Sequence, residues 1–171
     1  SQDHFNNSYD ILDGAIHSIS TDYNHTPGWE KSLKINDRLY FALKSFQTIT
    51  DVRVTAWIRV PDSTIQSGML NIFHSNGFTL VGIHSNQNDM LYRVDGPGIN
   101  TGYKHSGVVL NPGWYKINYD ITADGSSLFI NGIKVWQHAN ITDLTQICLK
   151  NFWENSGGTL YVDDITVDYL N

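Results

Sequence analysis

Asp51-Val52-Arg53-Val54-Thr55-Ala56-Trp57-Ile58-Arg59-Val60 alternates along its whole length. Val52, Val54, Ala56, Ile58 and Val60 fall on one face; Arg53, Thr55, Trp57 and Arg59 fall on the other. Successive side chains of a strand point to opposite faces, so this period of two marks a β-strand. One face is dry and the other wet. Such a strand belongs to a sheet packed on a core on one side and open on the other.

The same rhythm continues outward from this stretch. Leu70 to Phe73 runs into Ser75-Asn76-Gly77, a hairpin signal before Phe78 to His84. Asn86 to Asp89 turns the chain into Met90 to Val94, and Asp95-Gly96-Pro97-Gly98 breaks it again. Gly113 to Thr122 alternates, with Asp124-Gly125 as the next turn. Ser127 to Ile130 meets Asn131-Gly132, then Ile133 to Trp136. Ile147 to Trp153 and Thr159 to Tyr169 close the series. Only Ile141 to Gln146 fits a single helical turn. Short strands with turn signals at this spacing predict an all-β, two-sheet antiparallel β-sandwich. No linker-like segment divides the chain, so residues 1–171 are read as one domain.

Composition narrows the function. Of 171 residues, 40% are hydrophobic, 12% aromatic and only 16% charged, which does not fit a coiled coil or a disordered tail. The net charge is −6 and no Lys/Arg cluster offsets it, so nucleic acid is not an expected partner. No run approaches the roughly 18 apolar residues that span a bilayer, so no membrane insertion is expected. Cys148, the single cysteine, sits in an apolar run and reads as a small buried hydrophobe. No signal peptide is visible, and three Asn-x-Ser/Thr sequons begin at Asn6, Asn24 and Asn140.

Two stretches resemble a known group of folds. Gly113-Trp114-Tyr115-Lys116-Ile117-Asn118-Tyr119-Asp120, followed by Leu128 to Val135 with its Asn131-Gly132 turn, is similar to concanavalin A-like jelly rolls of the laminin-G-like and carbohydrate-binding module type. Gly158 to Val167 resembles the closing strand of such modules, and Asp3-His4-Phe5-Asn6-Asn7 their opening. The resemblance implies a jelly roll. It also implies one structural calcium between the N-terminal segment and the closing strand, with Asp164 and Asp3 as ligands and Asp163 in reserve. Asn6 stands where an acidic residue usually follows the Phe.

Catalytic patterns are few in this sequence. The glucanases of this superfamily carry a Glu-x-Asp-x-x-Glu strand, and retaining glycosidases need two carboxylates roughly 5–5.5 Å apart. Glu30 and Glu154, the only glutamates, lie far apart. Val81-Gly82-Ile83-His84 is similar to the Gln-Ile-His strand of alginate lyases but lacks the Gln. No zinc spacing, phosphate loop or nucleophile elbow occurs. His74 and His84 are read as polar strand residues.

The wet face of the Val52 strand carries the binding chemistry instead. Sugars present C–H faces flanked by hydroxyls, which aromatic rings and planar polar groups hold together. Arg53, Trp57 and Arg59 form the first candidate platform. Whichever of Tyr92 and Arg93 faces outward would join it, with Tyr103 from Gly102-Tyr103-Lys104-His105 beside the Gly/Pro-rich turn. Asn151 and Trp153, on one face of their strand, form a second. Trp29 is placed in a loop, and Trp114 and Trp136 in the core or at its rim. The expected protein is a non-catalytic carbohydrate-binding module attaching a larger protein to a polysaccharide or cell-surface glycan. Its setting would be extracellular, cell-surface or virion, in a carbohydrate-active enzyme or a phage tail protein. A lyase or hydrolase of the same fold, and a structural or protein-binding laminin-G-like domain, are the alternatives.

Overall fold

The stretch that opens the sequence argument folds as a strand buried at every second residue, with Val52, Val54, Ala56 and Ile58 no more than 1% exposed. The computed structural model describes residues 3–4, 17–20, 32–36, 40–60, 68–83, 88–150 and 159–170. In chain order the strands are β1 (Asp3–His4), β2 (His17–Ser20), β3 (Ser32–Asn36), β4 (Tyr40–Ile49), β5 (Val52–Val60), β6 (Gly68–His74) and β7 (Gly77–Ile83). They continue with β8 (Asp89–Gly96), β9 (Ile99–Val109), β10 (Gly113–Thr122), β11 (Gly125–Ile130), β12 (Ile133–His138), β13 (Leu144–Lys150) and β14 (Thr159–Tyr169). The described residues contain no helix.

Every pairing is antiparallel. The first sheet runs β12-β11-β10-β5-β14-β3-β2, with β1 also on β14; the second runs β4-β13-β6-β7-β8-β9. Their inner faces meet in one core. Ile58, Ile117, Ile121 and Leu128 come from the first sheet, and Leu70, Ile72, Met90 and Ile147 from the second. Tyr119 ties the sheets together. Its buried hydroxyl is 2.9 Å from Thr79 Oγ1 on β7 and donates to Ser126 Oγ on β11 at 3.0 Å. Burial pushes this phenol up to about 12, against the pull of those two bonds.

Turn chemistry follows the sequence at Asn131-Gly132, where φ values of 49° and 79° give the left-handed pair that a two-residue hairpin requires. Asn131 N donates to Lys116 O, and Lys116 N donates to Asn131 Oδ1, both at 2.8 Å. This fixes β11 against β10.

Two expectations are corrected. Ile141 to Gln146 makes no helical turn: Leu144 starts β13, paired with Ile49, and Asp143 accepts from Ser75 N and Oγ at 2.7 and 2.6 Å. Pairing and side-chain bonds claim the backbone there. Asp95 and Gly96 stay in β8, because Asp95 pairs with both Phe78 and Asn100, and the turn falls at Pro97-Gly98. Gly102 to His105 lie in β9, where Tyr103 and His105 pair with Arg93 and Leu91. Cys148 is fully buried, as expected.

Candidate functional site

Cross-strand register sorts the outer face of the first sheet into rows. Tyr161, Arg59 and Trp114 make one row; Asp163, Trp57 and Lys116 make the next. Thr166, Thr55, Asn118 and Phe129 follow, then Asp168, Arg53, Asp120 and Ser127. Every position is polar or aromatic. The core residues between them point inward, so this face is the wet complement of the core.

Short contacts organise the face. Arg53 donates from Nε and Nη2 to the two oxygens of Asp120 at 2.6 and 2.7 Å, a bidentate fork. The Asp120 bond raises the Arg53 pKa, burial opposes it, and Asp168 adds to the rise. Asn118 Nδ2 donates to Thr55 Oγ1 at 2.8 Å. Lys116 Nζ lies 5.9 Å from the centre of the Trp57 ring, within cation–π range. Trp57, Arg59 and Trp114 are half-buried, and Tyr161 is 6% exposed.

The β14 register shifts between Asp163 and Thr166, where three steps on β14 oppose two on β5. Asp164 is the extra residue, exposed and at φ 47°. The bulge lets Val162, Ile165 and Val167 all face the core while Asp163 and Thr166 stay outward. β1 does lie on β14, with Asp3 opposite Val167 rather than Asp164. Among the described residues, no three His, Cys, Asp or Glu side chains gather in a metal-holding group.

The outer face of the second sheet is different. Arg93 is ion-paired to Asp95 and lies over the rings of Phe78 and Tyr103, at 5.4 and 5.7 Å. Beneath it sits a second apolar cluster of Met69, Leu80 and Leu91, all under 5% exposed. His105 Nδ1 contacts Asp89 Oδ1 at 2.6 Å, and Gly107 N donates to Asp89 Oδ2. Burial alone would raise the Asp89 carboxyl, but these bonds hold it below its ordinary value.

The residues expected to share one platform therefore separate. Arg53, Trp57 and Arg59 stand together on the first sheet. Arg93 and Tyr103 stand on the far side of the core and cannot join them. Tyr92 turns inward and packs on the main core, which raises its phenol pKa by burial. Trp114, expected in the core or at its rim, faces outward opposite Arg59. Tyr115, Ile117 and Tyr119 take the inward positions of β10. Trp136 packs at the rim, as expected. His74, read as a polar strand residue, is 5% exposed. Asn151, Trp153, Trp29, Glu30, Glu154, His84 and the side chain of Asp3 lie outside the described residues. Lys116, Asn118 and Asp120 were missed, although the period of two in Gly113 to Thr122 already put them opposite Ile117 and Tyr119.

The chain matches no protein-family model and no curated protein by sequence. Solved structures do resemble it. A β-glucanase of Bacillus licheniformis aligns at a TM-score of 0.59 and 9% identity, covering 100% of this chain and 97% of its own. The fold is a concanavalin A-like jelly roll. Domain 4 of AbnA, an extracellular arabinanase from Geobacillus stearothermophilus solved with arabinotriose, aligns at 0.57 and 12% identity, covering 90% and 75%. The carbohydrate-binding module CBM66 from Bacillus subtilis aligns at 0.56 and 13%, covering 89% and 94%. Catalytic and non-catalytic proteins thus share this jelly roll, and function must be argued from the site.

Proposed function

We propose that the chain is a non-catalytic carbohydrate-binding module that attaches a larger protein to a polysaccharide or cell-surface glycan. The observation that carries this reading is the row pattern on the first sheet, where Trp57 and Trp114 stand among Arg59, Lys116 and Asn118. Rings take the C–H face of a sugar while amide, guanidinium and ammonium groups take its hydroxyls. Asp89, Asp95, Asp120 and Asp143 each have both or one carboxylate oxygen engaged by neighbouring side chains or backbone. These bonds commit the four carboxylates to holding their neighbours in place. One structural neighbour, the arabinanase domain, belongs to an extracellular enzyme, which supports an extracellular setting among the extracellular, cell-surface and virion settings proposed.

A glycan array tests the proposal. Binding without product release is expected, lost in Trp57→Ala while the melting temperature is kept. Unsaturated or reducing product from a polysaccharide panel would instead favour a lyase or hydrolase. Absence of glycan binding with tight capture of a purified protein ligand would favour a laminin-G-like role. The proposal extends to one calcium ion at the β14 bulge, using Asp164 and Asp3 with backbone oxygens. Calcium should then raise the melting temperature, EDTA should lower it, and Asp164→Asn should remove the difference; equal melting in both buffers sinks the ion.

A further inference from the structure

Beyond the Trp57 rows, the first sheet opens into a hollow of about 710 Å³ at the β10–β12 edge. This lies within the roughly 300–1,000 Å³ of small-ligand sites. Phe129 lines it beside Ser127, Asp124, Gln137 and His138. Lys134 Nζ is 5.5 Å from the centre of the Phe129 ring and donates to Gln137 Oε1 at 3.1 Å. His138 is stacked on Trp136 at 6.0 Å and 9°, which steadies that wall. Phe129 and Ser127 end the rows of Thr55 and Arg53, while Asp124, Lys134, Gln137 and His138 lie beyond those rows.

Phe129 pairs with Asn118, Asn118 pairs with Thr55, and Thr55 is two residues from Trp57. Strand spacing and rise put the Phe129 and Trp57 backbones about 12 Å apart on one continuous face. One sugar ring cannot bridge that span; a chain of several can. We propose that the hollow is a second sugar subsite, making the ligand an internal stretch of neutral polysaccharide rather than a chain end. The inference rests on the glycan reading of the Trp57 face. Neutrality follows from charge. Asp124 is exposed at the hollow and has no cation partner among the described residues, while Asp120 is already held by Arg53. A uronate would meet Asp124 in a chain of net charge −6, with Lys134 of the same lining turned to the Phe129 ring and Gln137. Asp124, Gln137 and Ser127 can instead exchange hydrogen bonds with hydroxyls once the flexible Lys134 swings off the Phe129 ring.

Calorimetry with arabinan, β-glucan, galactan and oligogalacturonate ladders, from disaccharide to hexasaccharide, tests this. In the wild type, affinity should climb past the trisaccharide for one neutral ladder. Phe129→Ala and the exposed-site variant Gln137→Ala should each lose roughly tenfold on the longest members and little on the disaccharide. Both should keep the wild-type melting temperature; Gln137→Ala keeps the test open should Phe129→Ala fail to fold. Wild-type length dependence in both variants, disaccharide affinity equal to hexasaccharide affinity, or preference for oligogalacturonate would each overturn the proposal. If no ladder binds the wild type, the glycan reading itself fails, and the subsite with it.

Discussion

The two outer faces of the sandwich come from the same strand alternation and end as opposites. On the first sheet the positions between core residues hold Arg53, Trp57, Asn118 and Asp120. On the second they hold Met69, Asn71, Leu80 and Leu91, with Met69, Leu80 and Leu91 at 1%, 3% and 4% exposure. An aliphatic face kept from water is a second layer of core, and its residues are committed to stability. A polar and aromatic face leaves its side chains for a ligand. Arginine shows the contrast well: Arg53 is one link in a row of alternating charges, whereas Arg93 lies across Phe78 and Tyr103 at the edge of an apolar cluster. Ring plus guanidinium does not by itself mark a sugar platform. The layer beneath decides.

The largest test of this contrast is Leu80→Ala. It should destabilise the protein by about 2–5 kcal/mol, as buried leucines do, and leave glycan binding by the folded fraction unchanged. Urea unfolding measures it, and a cost under about 1 kcal/mol would mean that the second outer face is wet after all. Next comes Asn71, 5% exposed, whose Oδ1 has no hydrogen-bond partner among the described residues. Asn71→Leu should raise stability by about 1 kcal/mol, because it removes an unpaired polar atom from an apolar layer. A clear loss would show that the amide is satisfied and that the layer is not purely apolar. Arg53→Ala should cost about 1 kcal/mol or less, since the Arg53 side chain is 43% exposed and solvent screens the pair. A loss as large as that of Leu80→Ala would erase the distinction between the two faces.

A pH titration sharpens the comparison from inside the second sheet. Burial holds His74 below its ordinary value, with Asp143 and the Phe78 carbonyl pulling the other way. A lowered folded pKa means that the unfolded chain takes the proton first as pH falls from about 6.5. The stabilisation is complete above that value and is lost through the window beneath it. Thermal melts from neutral to mildly acidic pH should show the decline, and His74→Leu should flatten it. Glycan binding by the first sheet should hold until the chain unfolds; earlier loss of binding would couple the two faces.

Much of this was legible in the sequence. Gly113–Thr122 has the predicted bounds, since uninterrupted alternation is a local signal, and Thr159–Tyr169 keeps its predicted bounds although its alternation breaks inside. Which sheet a strand joins is not local. Tyr92-Arg93 and Arg53-Trp57 look alike as dipeptide chemistry, and only the pairing of β8 with β7 and of β5 with β10 separates them across the core. The bulge at Asp164 was hidden for a related reason. Val162-Asp163-Asp164-Ile165 breaks the period of two, and only the pairing of β14 with β5 shows which aspartate is the extra residue. Trp114 was misassigned because its size suggested core, while its own strand already placed Tyr115 and Ile117 inward.

Tyr119 gives the molecule an optical reporter. Its phenol, raised to about 12 in the fold against an ordinary value near 10, stabilises the native state fully below about pH 10 and progressively less above it. Among the nine tyrosines, it should be a late one to turn to phenolate while the sheets remain joined. In alkali, a delayed step in tyrosinate absorbance would therefore time the moment at which β7 parts from β11.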